Sequence, residues 1–180
     1  MKIIETPISG LYVLEPVIHE DKRGCFLELY NSASFKEIGI NNNFVQENLS
    51  KSSYGVIRGL HFQKGEYAQA KLATVLKGRV FDVAVDLRKG SSTYGQWYGV
   101  ELSESNKRLF FIPRGFAHGF SVLSKEAIFT YKCDNFYAPQ SEDGINYADP
   151  TLAIDWQIKP EDVIVSEQDK IRPFLKDLFL

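Results

Sequence analysis

The segment Arg79-Val80-Phe81-Asp82-Val83-Ala84-Val85-Asp86-Leu87 alternates with period two: Phe81, Val83, Val85 and Leu87 fall on one face of an extended chain, Asp82 and Asp86 on the other. A helix would scatter those positions around its axis, so the segment predicts a strand. Short apolar stretches bounded by Gly, Pro, Asn and Ser recur from end to end: Phe26 to Tyr30, Phe44 to Leu49, Gln96 to Leu102, Lys107 to Ile112 and Ala127 to Cys133, with Lys77-Gly78 read as a turn. That spacing belongs to an antiparallel sandwich or barrel, and thirteen Phe and nine Tyr suit its pleated, half-buried surfaces. Helices are expected only in brief pieces. One runs through Phe35 and Ile38, capped by Ser32 or Ser34 and stopped at Gly39, and short turns follow Pro160.

A chain of 180 residues fits one domain, 1–180, able to bury roughly two-thirds of the surface its unfolded form would expose. No repeat, low-complexity tract or linker divides it. Its 44% apolar and 24% charged residues are those of a soluble globular protein and argue against disorder. A net charge of −2 without a dense Lys/Arg block excludes the footprint of nucleic-acid binding, so any bound anion must be met by local cations. Cys25 and Cys133 are isolated, which predicts free thiols in a reducing compartment, the cytoplasm. Glu5 and Pro7 interrupt the N-terminus before a signal-like stretch can form, and no run reaches membrane-spanning length.

The chain has three histidines, and two stand among glycines and aromatics: His61 in Arg58-Gly59-Leu60-His61-Phe62-Gln63 and His118 in Ile112-Pro113-Arg114-Gly115-Phe116-Ala117-His118-Gly119-Phe120. In an all-β chain such a pair suggests the cupin-type jelly roll, whose metal site takes an H-x-H pair, a Glu and a further His. Here Gln63 occupies the place of the second histidine, so a site without metal is expected. Histidine can still act as a general base near neutral pH, given a charge partner. Asp169 offers one, although spacing alone reads equally well as a helix-cap aspartate and a hydrogen-bonded core histidine. Tyr131 shares a strand face with Ala127 and Phe129, as a proton donor or an ordinary buried tyrosine. Lys71 shares a face with Ala73 and Val75, either turned to a ligand or snorkelling at a barrel rim. Gln46 and Asn48 alternate with Phe44 and suit a base edge, a sugar or solvent. Strict alternation separates Arg58 from His61, so a shared cavity requires a bulge, for which Gly59 is the natural place.

Together with Phe81 to Arg88, Tyr94-Gly95-Gln96-Trp97 and Tyr131 to Tyr137, these motifs closely resemble the dTDP-4-dehydrorhamnose 3,5-epimerase family, in register over nearly the whole chain. The resemblance implies a cupin-like jelly roll that acts as a cytoplasmic homodimer, needs no cofactor or metal, and takes a dTDP-sugar. It implies that His61 is the base, Asp169 its carboxylate partner, Tyr131 the proton donor and Lys71 the enolate-stabilising cation. It further implies substrate contacts from Arg23, Glu28, Gln46, Asn48, Arg58, Lys71, His118 and Glu142, with Tyr137 stacked on the thymine. Gln168 departs from the pattern, since a basic residue often precedes the family's catalytic aspartate. Monoepimerases acting at C3 or C5 share many of these motifs. A 3,4-ketoisomerase would not require Tyr131 as an opposite-face donor, and a sugar-nucleotide binding module would have no use for a His61–Asp169 dyad.

Overall fold

The computed structural model describes residues 1–178. Its strands are β1 (Lys2–Glu5), β2 (Tyr12–Glu15), β3 (Ile18–Asp21), β4 (Gly24–Leu27), β5 (Gln46–Ser53), β6 (Ile57–Gln63), β7 (Lys71–Lys77), β8 (Arg79–Asp86), β9 (Trp97–Ser103), β10 (Leu109–Ile112), β11 (Phe116–Val122), β12 (Glu126–Cys133) and β13 (Glu142–Gly144). The α-helices are α1 (Ser32–Glu37) and α2 (Glu167–Lys170). A six-stranded sheet, β1-β2-β10-β7-β12-β5, faces a five-stranded sheet, β13-β6-β11-β8-β9, and every ladder between these strands is antiparallel. Strands β3 and β4 pair only with each other.

Alternation explains the layers. Val13, Ala73, Val75, Phe110, Ile112, Ala127 and Phe129 of one sheet meet Val80, Ala84, Val100, Leu102, Phe116, Phe120 and Val122 of the other in the interior. Phe110 and Phe129 are fully buried there, each worth roughly 1.5–3 kcal/mol relative to exposure. The Phe81, Val83, Val85 and Leu87 face of β8 is buried too, under Ile145, Leu152, Trp156 and Leu175 of the C-terminal segment. That segment therefore acts as a second cover, and its docking brings α2 against β6. A third cluster seats Phe35 of α1 with Leu14, Leu72, Leu109 and Phe111.

The turn expected at Lys77-Gly78 joins β7 to β8. Gly78 has φ +80, and a Cβ there would lie 2.1 Å from the Glu126 carbonyl oxygen, so only glycine fits. Several expected boundaries need correction. The stretch Phe26 to Tyr30 leaves its ladder after Leu27, and the next strand starts at Gln46 rather than Phe44. The cause is aromatic packing: Tyr30 sits edge-on to Phe35 and Phe44 at 5.0 and 5.3 Å. Lys107 has φ +55 and donates its N–H to the Ser103 carbonyl, so it belongs to a turn and β10 begins at Leu109. Asn31, not Ser32 or Ser34, caps α1, its Oδ1 accepting from the Ala33 N–H at 3.0 Å.

Candidate active site

The pairing of β6 with β11 sets the site. His118 lies opposite His61 while Phe120 lies opposite Arg58, so three steps along β6 span two along β11. The extra residue is the bulge expected at Gly59, and it returns Arg58 and His61 to one side. Gly59 has φ +127, and a Cβ there would stand 2.4 Å from the Gly119 Cα. The two strands approach so closely because glycine faces glycine.

Arg58, His61 and His118 open onto a cleft of about 600 Å³ between the sheets, shared with Lys71, Tyr131, Tyr137, Glu142, Gln168 and Asp169. His61 Nε2 lies 2.6 Å from Asp169 Oδ1, the imidazole about one-third exposed and the carboxylate 6% exposed. Ser166 caps α2 by accepting from the Asp169 N–H at 3.1 Å, which frees the aspartate side chain for the histidine. Burial pushes the Asp169 carboxyl up, but the His61 hydrogen bond, the His61 charge, the Gly59 amide and Ser166 outweigh it and leave its pKa below the ordinary value. With Nε2–H directed at that carboxylate, the neutral imidazole carries its lone pair on Nδ1.

Lys71 and Tyr131 come from the facing sheet. The Lys71 side chain is buried beside the Ala73 and Val75 positions, its Nζ 3.5 Å from the His61 carbonyl oxygen and 5.7 Å from the Tyr131 ring centre. Burial lowers its pKa, opposed by the charges of Cys133, Asp82 and Glu142. Burial likewise raises the Tyr131 phenol and pushes the Cys133 thiol up to about 11. His118 is fixed by Asp82, Nε2 to Oδ1 2.6 Å, with its ring against Phe129 and Tyr131. Burial holds His118 below the ordinary histidine value, with the Asp82 carboxylate opposing.

The rim is built on Glu142, which accepts the Tyr137 hydroxyl at 2.5 Å on Oε2 and an Arg172 N–H at 2.7 Å on Oε1. Gln46 Oε1 accepts the Tyr137 N–H, and Gln46 donates to Asn48 Oδ1, so this polar pair braces the rim. Arg58 donates through Nε to Ser52 Oγ at 3.1 Å. Two of the expected contacts lie elsewhere on this chain. Arg23 pairs with Asp21 on the exposed β3–β4 hairpin, and Glu28 accepts from Asn31 and Ser34 beside α1.

Gln63 has a structural task. Its amide donates to the carbonyls of Tyr67 and Phe136 at 2.7 and 3.1 Å and accepts from the Ala138 N–H at 2.7 Å, anchoring the loop that carries Tyr137. Among the described residues no group of three or more His, Cys, Asp and Glu side chains is disposed to hold a metal ion.

The family model described as dTDP-4-dehydrorhamnose 3,5-epimerase matches residues 5–177 of this sequence. The chain belongs to that family. The dTDP-4-dehydrorhamnose 3,5-epimerase of Methanothermobacter thermautotrophicus is 51% identical over 94% of this chain and 91% of its own. A crystal structure of the enzyme of the same name from Elizabethkingia anophelis superposes with a TM-score of 0.95 at 56% identity, covering 98% of this chain and 97% of that one. The dTDP-6-deoxy-D-glucose-3,5-epimerase of Legionella pneumophila, in complex with dTDP-4-keto-L-rhamnose, superposes equally well at 51% identity over 99% and 94% of the two chains. The fold is thus the cupin-like jelly roll of the dTDP-4-dehydrorhamnose 3,5-epimerases. Within it, sequence reasoning missed Asp82 as the partner of His118 and Arg172 as the partner of Glu142. The position of Asp82 on the inward face of β8 was a usable signal; for Arg172 there was none.

Proposed function

We propose that this chain inverts C3 and C5 of dTDP-4-dehydro-6-deoxy-D-glucose to give dTDP-4-dehydro-L-rhamnose, in the making of dTDP-L-rhamnose. The observation that carries this reading is the His61–Asp169 contact of 2.6 Å opening onto a cleft that Tyr131 and Lys71 enter from the opposite sheet. A C4 ketone acidifies the C–H bonds at C3 and C5. His61 removes a proton, and Asp169 orients the ring and offsets the imidazolium charge. The buried Lys71 ammonium stabilises the enolate oxygen where little water screens it, and Tyr131 returns a proton from the other face. His61 on β6 and Tyr131 on β12 belong to facing sheets, which is the two-sided access that inversion needs. Arg58 neutralises diphosphate, His118 and Glu142 contact the substrate, and Tyr137 stacks on the thymine.

The proposal includes a homodimer in the cytoplasm. Hairpin β3–β4 leaves all four β3 residues exposed, with Val17 and Phe26 57% and 72% exposed. A second copy that covers this hairpin would receive Arg23 and Glu28, which do not line the cleft of their own chain. Free thiols at Cys25 and Cys133 suit a reducing compartment. Incubation with dTDP-4-dehydro-6-deoxy-D-glucose in deuterated water tests the reaction: label is expected at both C3 and C5 by NMR. Label at one carbon alone would make the enzyme a monoepimerase, and none at either would end the proposal.

A further inference from the structure

Arg172 has no part in the chemistry above, yet it is held more firmly than an ordinary surface arginine. Its side chain is only 12% exposed, and its stem lies over Gly144, where a Cβ would come 3.1 Å from Arg172 Nε. The segment bearing it is tied down by Asn146, which donates to the Lys170 carbonyl at 2.8 Å and through its own N–H to the Pro173 carbonyl at 2.9 Å. From that seat the guanidinium reaches Glu142 Oε1 at 2.7 Å and stands 3.9 Å from Asp143. The other Glu142 oxygen holds the hydroxyl of Tyr137. Tyr137 is 54% exposed, so little packing fixes its ring, and the Glu142 contact is what orients the hydroxyl end.

We propose that Arg172 is a positioning residue for nucleotide binding, fixing Glu142 and through it holding the Tyr137 ring at the rim in the pose that receives the base. The inference rests on the substrate reading above and deepens it. Ordering an exposed side chain at the moment of binding weakens affinity, whereas a ring already held by Glu142 is ordered beforehand. Glu142 with only the tyrosine as partner would swing toward water and release the ring. The role is separate from proton transfer, because Arg172 touches neither member of the His61–Asp169 pair.

Calorimetric titration with dTDP, which needs no turnover, provides the test, paired with steady-state kinetics. Arg172→Met keeps the stem over Gly144 and removes the cation, and dTDP should then bind about 3- to 10-fold more weakly, KM rising alongside with kcat preserved. Arg172→Lys should recover most of the affinity. In a Tyr137→Phe background, where Glu142 has no hydroxyl to hold, Arg172→Met should cost clearly less than it does alone, the remainder being Glu142's own contact with the substrate. If the Met variant does not fold, Arg172→Gln takes its place in the same cycle. Unchanged dTDP affinity, a loss confined to kcat, or losses that simply add in the double variant would each overturn the inference while leaving the substrate reading intact. A wild-type protein that fails to bind dTDP would remove both.

Discussion

His61 and Asp169 stand 108 residues apart in sequence and 2.6 Å apart in space, Nε2 to Oδ1. The bulge at Gly59 turns the histidine inward, and the Ser166 cap points the aspartate toward it, so two local devices meet in one hydrogen bond. His61→Asn should keep the fold and lower proton exchange at C3 and C5 by at least roughly 10²-fold, the contribution of a positioned base. Asp169→Asn should also lose activity while dTDP still binds. Deuterium wash-in followed by NMR measures both, and near wild-type exchange in His61→Asn would falsify the assignment of the base.

Tyr131 lies on the sheet facing His61, so removing its hydroxyl should separate exchange from inversion. In Tyr131→Phe, His61 can take a proton and return one from the same side. Label should still wash in, while net epimerisation falls by roughly 10²–10⁴-fold. A variant that epimerises normally would hand the donor role to water or another side chain.

The pH dependence has a definite sign. Burial lowers Lys71 from its usual value of 10.5, so the lysine gives up its proton at a lower pH than a free lysine does, while burial raises Tyr131 from 10.0 and holds its phenol proton longer. Activity should fall along an alkaline limb beginning below 10.5 that reports Lys71, and the small residual activity of Lys71→Met should lack that limb. Stability moves the other way. Between the lowered folded value and 10.5 the unfolded chain binds more protons than the folded one, so unfolding becomes harder as pH rises through that window. Lys71→Met should flatten that rise in denaturant titrations, and a wild-type limb that survives in the variant would point to another group.

Gly59→Ala should be costly without touching a reacting atom. Its Cβ would press on the Gly119 backbone at a φ that side chains rarely adopt. Strain and overpacking together predict a loss of roughly 2–4 kcal/mol, read as a shift of the urea midpoint at constant slope. A midpoint within error of the wild type would show that the strands can part to admit a methyl.

Exhaustive chelation should leave the rate unchanged. Gln63 spends its amide on three backbone groups, and each cleft histidine already presents one ring nitrogen to an aspartate. Activity that disappears with chelator and returns with a divalent ion would count against the metal-free reading.

Strand faces were legible in the sequence because period-two alternation is local. It placed Lys71 with Ala73 and Val75, Tyr131 with Phe129, and by its own failure at Arg58 and His61 it located the bulge. Strand ends were less so, since Tyr30 leaves its ladder to pack edge-on against both Phe35 and Phe44, contacts that no one segment reveals alone. Pairings between distant segments were beyond spacing altogether. Residues alone could not choose between a helix-cap and a charge-partner role for Asp169, and family resemblance suggested the second. The Glu142–Arg172 contact depends on how the C-terminal cover docks, and no periodicity encodes that.

The docking of that cover also bears on how activity can be lost without unfolding. Both sheets are complete by Gly144, yet the carboxylate that faces His61 arrives only with α2, after Leu152, Trp156 and the following loop have settled on β8. Turnover therefore reports on whether this cover is docked, and a protease nick between residues 157 and 165 should silence the enzyme long before it melts the sheets.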